Sequence, residues 1–308
     1  MPALEQAATA APATVGFIGL GTMGLPMARR LVEHGYTVRG FDPVEPARAA
    51  LAAAGGVACA SAAEAATGAD AVVTMLPDGA VVRAAMLDGP AAAAHAMRRG
   101  AVLIEMSSSA PLATRALGDA LAQAGIAVVD APVSGGVRKA EAGTLSIMAG
   151  GDLDVIAQVR PVLRAMGSNL FETGALGSAH AMKALNNYVS AAGLIAACEA
   201  IQIGRAFGLD PVVMTDILNA STGRNNTTEN KLKPFILTER YDSGFGLALM
   251  TKDIGIAAGL ADALDRAAPF SHAVADFARQ ALERLGREAD HTAVDRYLKL
   301  LNGERDAG

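Results

Sequence analysis

Short apolar runs and helical stretches alternate along the first half of the chain. Residues 15–18 (Val-Gly-Phe-Ile) read as a strand followed by a helix reaching residue 31, and residues 37–41 (Thr-Val-Arg-Gly-Phe) as a strand followed by a helix over 43–54. The runs at 71–75, 101–104 and 127–129 continue the series with helical segments between them, and a late strand over 145–149 precedes a helix over 154–166. Apolar strands without polar alternation are buried on both faces, and the intervening helices supply the cover. The pattern predicts a parallel, doubly wound α/β domain.

Beyond residue 174 no β-branched or alternating run stands out, and helical periodicity takes over. Residues 178–207 make one long helix ended by Gly208, and 211–219 a second with Asp210 as its N-cap. Further helices fit 251–264, 271–285 and 294–301. An α/β domain over residues 14–176 is therefore expected to be followed by an all-helical domain over 177–308, joined by the long helix. At about 150 residues per domain, a chain of 308 agrees with two.

Composition narrows the function classes. Lys and Arg number 26 against 31 Asp and Glu, so no basic surface recommends a nucleic-acid partner. Aromatic residues make up 4% and Trp is absent, while Gly numbers 33, which favours close-packed helices and tight turns over an aromatic recognition surface. Cys59 and Cys198 have no CxxC or His-spaced partner, so neither a disulfide framework nor a metal site is suggested, and a cytoplasmic setting is the simplest. The longest uncharged run, residues 6–28, is broken by Pro12, Pro26 and several glycines, and Glu5 precedes it where a signal peptide is basic. No membrane span is expected there, and residues 1–13 read as an Ala-rich tail. The uncharged stretch 184–198 is too short to span and is expected to be a helix buried on most sides.

Gly19-Leu20-Gly21-Thr22-Met23-Gly24 matches G-x-G-x-x-G directly after the first strand and before a helix. In that context Gly19 permits a tight turn, Gly21 lets the backbone approach a pyrophosphate, and Gly24 lets the helix pack on the strand. The anion then meets unpaired N–H groups at the helix N-terminus. Asp42, at the end of the second strand, is placed to accept hydrogen bonds from the adenosine ribose and to repel a 2'-phosphate, so NAD is preferred over NADP. Arg39 and Arg48 are read as too far from the strand end to argue the reverse. The alternative role for Asp42 is to cap a helix opened by Pro43.

Four blocks resemble the 3-hydroxyisobutyrate dehydrogenase family of β-hydroxyacid dehydrogenases, which includes tartronate semialdehyde reductases and is related to 6-phosphogluconate dehydrogenase. They are Gly16-Phe-Ile-Gly-Leu-Gly-Thr-Met-Gly-Leu-Pro-Met-Ala28; Asp130-Ala-Pro-Val-Ser-Gly-Gly136 with Ala140-Glu-Ala-Gly-Thr-Leu145; Gly177-Ser-Ala-His-Ala-Met-Lys-Ala-Leu-Asn-Asn187; and Lys252-Asp253. The resemblance implies a Rossmann-type cofactor domain and a catalytic Lys183. Alcohol oxidation must remove a hydroxyl proton, and a lysine serves once burial lowers its pKa from about 10.4 toward 7–8.

By the same resemblance, Asn187, one turn after Lys183, orients the substrate, and Ser134 with the N–H groups of Gly135 and Gly136 holds its carboxylate. Leu76, Pro77 and Ser108, at the strand ends, line the nicotinamide half of the cofactor, and Lys252 closes the site beside it. Arg224, with Asn225 and Asn226 in the polar segment 221–230, reads a substrate tail, the alternative being a solvated loop. One departure stands out: the family commonly has glycine where this chain has Ala179, followed by His180, for which a proton relay and a capping or packing role both stay open.

The expected protein is an NAD-dependent dehydrogenase of a short-chain β-hydroxy acid, cytoplasmic and a homodimer or homotetramer, with no nucleic-acid or membrane partner. Semialdehyde reduction or sugar-acid oxidation by the same site is the nearest alternative, and a non-catalytic NAD sensor the reading from another class.

Overall fold

Strands β1 (Thr14–Ile18), β2 (Thr37–Phe41), β3 (Val57–Ala58), β4 (Ala71–Thr74), β5 (Val102–Glu105) and β6 (Ala127–Asp130) run parallel in the order β3-β2-β1-β4-β5-β6. This is the doubly wound order, with its switch point between β1 and β4, where the chain leaves the sheet centre first one way and then the other. Beyond β6 the sheet continues through β7 (Val133–Ser134), β8 (Leu145–Gly150) and β9 (Gly167–Gly174). β8 is antiparallel to β6 and β7 and parallel to β9. The computed structural model describes residues 13–304, so the tail expected over 1–13 lies, apart from Ala13, outside the described residues.

Helices cover the sheet as the spacing of apolar residues requires. They are α1 (Gly24–Glu33), α2 (Glu45–Ala53), α3 (Ala62–Ala66), α4 (Gly79–Leu87), α5 (Pro111–Ala122), α6 (Gly136–Glu141) and α7 (Leu153–Met166). Central strand residues such as Val15, Phe17, Val73 and Ile104 are fully buried, packed with Met27, Leu31 and Leu163 from the helices. Burying each such side chain contributes about 1.5–3 kcal/mol.

Three strands escape the apolar pattern. β9 is eight residues long but mostly exposed, so it carries no continuous apolar run and was not expected as a strand. It forms because β8 would otherwise present an unpaired row of backbone groups at that edge. β3 and β7 have two residues each and leave no periodicity to read. The strands expected to stop at residues 104 and 129 run on to Glu105 and Asp130, because the parallel ladder continues one pair further than the apolar residues do.

The long helix α8 (Ser178–Phe207) has the expected bounds, and the chain divides within it into compact units ending at Lys183 and starting at Ala184. After Gly174 the described residues form helices apart from an isolated bridge between Gly246 and Asp290: α9 (Pro211–Ala220), capped by Asp210 as expected, α10 (Asn226–Asn230), α11 (Leu247–Ala263), α12 (Pro269–Leu285) and α13 (Val294–Leu301). Leu194, Cys198 and Ile201 of α8 pack with Leu232, Ile254 and Leu298 in the core of the second unit. At 30 residues α8 is long and apolar enough to cross a bilayer by length and composition, but these residues are spent on that core. Within 184–198, expected to be buried on most sides, Leu185, Asn186, Val189 and Ala196 are exposed and the other residues are buried or half-buried; further along the helix Phe207 is 83% exposed.

Candidate active site

The glycine loop folds as its spacing demands. Gly19 leaves β1 at φ +98°, and its N–H donates to Phe41 O at 2.9 Å. A methyl group on Gly24 would lie 1.9 Å from Gly19 O, so only hydrogen permits this closure. A methyl on Gly21 would meet nothing within 4 Å and would project into open space. Met23 stands at the N-cap of α1 without a side-chain cap, and no acidic residue occupies the first turn. Unpaired N–H groups and the helix dipole are thereby left to an anion. This cradle fits the pyrophosphate of a dinucleotide.

Asp42 braces the loop. Its Oδ2 accepts from Leu20 N and its Oδ1 from Val44 N, both at 2.8 Å. The helix expected to open at Pro43 instead starts at Glu45 with Val44 at the N-cap, so Asp42 is not its cap. Arg48 is nearer than the sequence suggested: α2 brings its Nη1 to 2.6 Å from Asp42 O and 3.2 Å from Pro43 O. Arg39 turns to Glu64 O, with Nη2 at 2.9 Å. Both cations are thus engaged with backbone carbonyls.

Along the C-terminal edge of the sheet, Leu76 follows β4 and donates its N–H to Ser107 Oγ at 2.9 Å, while Ser107 N donates to Glu105 Oε1 at 2.8 Å. Pro77 is exposed and Ser108 half-buried on the same edge. Ser134 belongs to β7, opposite Ser146, and Gly135, at φ +140°, is the N-cap of α6.

Sequence reasoning missed what anchors the helix carrying Lys183. Asp130 Oδ1 accepts from Gly177 N and Oδ2 from His180 N, each at 2.8 Å, so a buried carboxylate caps α8. The His180 ring is itself buried, with Nδ1 2.8 Å from Thr114 Oγ1 and Nε2 3.0 Å from both Ser107 O and Glu105 Oε2. The available signal was an acidic residue ending each of two apolar runs. Lys183, half-buried, is one turn further along the helix.

In the second unit Asn187 Nδ2 donates to the buried Asp253 Oδ2 at 2.6 Å. Lys252 lies in the second turn of α11, which begins at Leu247, four residues before the expected start, and its Nζ is 3.6 Å from Asp253 Oδ1. The polar segment 221–230, read as a loop, ends in α10, with Asn225 as N-cap in a capping box. Arg224 is ion-paired with Glu229 at 2.5 Å.

A pyrophosphate cradle at the switch point of a doubly wound sheet, followed by a helical unit, defines the class of nicotinamide-dependent dehydrogenases. Residues 14–174 match the model described as the NAD binding domain of 6-phosphogluconate dehydrogenase, and residues 177–298 the one described as NAD-binding of NADP-dependent 3-hydroxyisobutyrate dehydrogenase. The chain is 36% identical to the NAD-dependent L-serine dehydrogenase of Pseudomonas aeruginosa, over 94% of this chain and 99% of that one. It is 39% identical to the 2-(hydroxymethyl)glutarate dehydrogenase of Eubacterium barkeri, over 79% and 80%. The solved Mycobacterium tuberculosis 3-hydroxyisobutyrate dehydrogenase with L-serine superposes with a TM-score of 0.86 at 36% identity, covering 93% of this chain and 99% of that one. The chain belongs to the 3-hydroxyisobutyrate dehydrogenase family, NAD-binding oxidoreductases that act on CH–OH groups.

Proposed function

We propose that the chain oxidises a β-hydroxy acid of the form HOCH2–CH(R)–COO⁻, with NAD as acceptor and Lys183 as general acid/base. The observation that carries this reading is the anchoring of the Lys183 helix: its first turn is held by Asp130 at the strand edge where dinucleotides bind in such sheets. Serine, 2-(hydroxymethyl)glutarate and 3-hydroxyisobutyrate, the compounds named for the relatives, share a hydroxymethyl group on the carbon that bears a carboxylate and differ in R.

Ser134 Oγ and the N–H groups of Gly135 and Gly136 receive the carboxylate, Asn187 orients the hydroxyl, and Lys183 Nζ removes its proton. NAD, which the loop at Gly19, Gly21 and Gly24 would hold, would supply the hydride acceptor. In the reverse direction Lys183 returns the proton to the nascent alkoxide. Leu76, Pro77 and Ser108 line the nicotinamide side, while the roles of Lys252 toward the cofactor and of Arg224 toward R rest on the family resemblance. Asp42 favours NAD over NADP, and Arg48, committed to two carbonyls, is poorly placed to serve a 2'-phosphate.

Residues 14–176 form the cofactor part and 177–308 the substrate and oligomerisation part of a cytoplasmic homo-oligomer. The exposed apolar side chains Ile203, Phe207, Val212, Val213 and Ile217 support self-association. The test is a panel of HOCH2–CH(R)–COO⁻ acids with NAD and NADP, run on the wild type and Lys183→Ala. NADH formation lost in the variant, with NADH affinity retained, is the expected result; turnover near wild type in Lys183→Ala sinks the assignment.

A further inference from the structure

Glu105 and Asp130 are direct partners in the parallel register of β5 and β6, so two buried carboxylates stand side by side at the C-terminal edge of the sheet. Two like charges out of water need separate compensation. Asp130 finds it in the backbone: its two oxygens accept from Gly177 N and His180 N at the positive end of α8. Gly150, opposite Asp130 on β8, makes room for this, since a methyl there would lie 2.5 Å from Asp130 Oδ1 and 2.7 Å from Ser178 Oγ.

Glu105 finds it in His180. Its Oε1 accepts from Ser107 N, but its buried Oε2 makes no hydrogen bond of good geometry and lies 3.0 Å from His180 Nε2 as an ion pair. The ring faces acceptors on both sides. Nε2 meets Ser107 O and Glu105 Oε2, and Nδ1 meets Thr114 Oγ1, whose hydroxyl also lies 3.2 Å from Ala110 O. With that hydroxyl turned to Ala110 O, both ring nitrogens donate and the ring is an imidazolium, the state that the adjoining Glu105 and Asp130 favour. Burial alone would lower the His180 pKa, but Glu105 and Asp130 outweigh it and raise it; burial would likewise raise Glu105, and His180 with Ser107 brings it below the usual carboxylate range.

We infer that His180 is a positioning residue for Lys183, its imidazolium fixing the first turn of α8 to the end of β5 and to α5 through Glu105, Ser107 and Thr114. The inference rests on the proposed role of Lys183. Residues three apart in a helix share a face, with Cβ atoms about 5–6 Å apart, so a tilt or slip of the first turn displaces the Lys183 amine directly. The same network reaches the cofactor edge through Ser107 Oγ and Leu76 N. It thereby sets the lysine against the wall that lines the nicotinamide. An interior filled with an apolar side chain at 180 would hold the helix without specifying its rotation; three directional contacts on one ring specify it.

The test is a double-mutant cycle with His180→Gln, made in the wild type and in Lys183→Ala, reading kcat, KM for the hydroxy acid, NADH affinity by fluorescence and the melting temperature. A misplacement of the lysine on the order of 1 Å is expected to lower kcat about tenfold or more, with KM and NADH affinity within about twofold. In Lys183→Ala the same substitution is expected to change residual turnover less than about twofold, because the group it positions is gone. Equal losses in both backgrounds, or no loss in the first, overturn the inference while leaving Lys183 in place. Wild-type turnover in Lys183→Ala overturns the active-site reading itself. Should Lys183→Ala have no measurable turnover, the split in the first background decides: kcat, KM and NADH affinity worsening together count against positioning. If His180→Gln does not fold, Thr114→Val, which removes the Nδ1 partner together with the bond to Ala110 O, is held to the same split.

Discussion

Asn187 Nδ2 donates a hydrogen bond of 2.6 Å to Asp253 Oδ2, across 66 residues of sequence. Because a carboxylate only accepts, Asp253 decides which way the amide faces, and Asn187 Oδ1 is left to receive Asn186 Nδ2 at 3.1 Å. Asp253→Ala is expected to release that orientation and lower kcat/KM about tenfold, the equivalent of roughly 1.4 kcal/mol. Asp253→Asn, which can still accept through its own Oδ1, is expected to keep most of the activity. Steady-state kinetics on the two variants checks this, and equal losses would transfer the role from the acceptor to the charge.

Cofactor choice is expected to follow the charge on Asp42 while the fold follows its acceptor oxygens. Asp42→Asn keeps an oxygen for Leu20 N or Val44 N but removes the repulsion toward a 2'-phosphate. Charges about 4 Å apart interact by about 1–4 kcal/mol between aqueous and near-surface dielectrics. The ratio of kcat/KM with NADP to that with NAD is accordingly expected to rise about tenfold or more. An unchanged ratio would remove Asp42 from cofactor discrimination.

Two glycines separate binding from folding. Gly21→Ala adds a methyl that meets no protein atom within 4 Å, so its melting temperature is expected to stay near wild type while NADH affinity falls through occupation of the cradle. Gly24→Ala drives a methyl to 1.9 Å from Gly19 O, so melting temperature and affinity are expected to fall together. Thermal melts beside NADH fluorescence titrations distinguish the two patterns.

The buried pair has a signed pH signature. His180 has a raised pKa in the fold, so its contribution is complete below the ordinary imidazole value of about 6.5 and is lost as pH rises through the raised one. Glu105 has a lowered pKa, so its contribution is complete above the ordinary carboxylate value of about 4.3 and is lost as pH falls through the lowered one. The melting-temperature gap between wild type and His180→Gln is expected to be widest between these limits and to narrow on the alkaline side. A gap that widens with alkaline pH would contradict an imidazolium.

Local grammar made much of the cofactor half legible. The loop at 19–24 is read from three glycines between a strand and a helix, and that reading needs only the steric demands of a tight turn and a close approach. The bounds of α8 followed from continuous helical periodicity ended by Gly208, at φ +98°. Arg48 was misjudged because its reach depends on how α2 folds back against the end of β2, a relationship that spacing along the chain does not encode.

The sequence by itself determined the alternation of the apolar strands with their helices, the cofactor loop and the family, since strand burial, helix capping and glycine turns are decided by neighbours a few residues apart. Only the tertiary structure decided the company His180 keeps. Glu105 and Asp130 are 25 residues apart and become neighbours through the register of two parallel strands, and His180 joins them 50 residues further on. It also decided β9, whose exposed residues become a strand because the edge of β8 needs backbone partners. Hydrogen-bond register acts at a distance in sequence, and its demands leave no local periodicity to read.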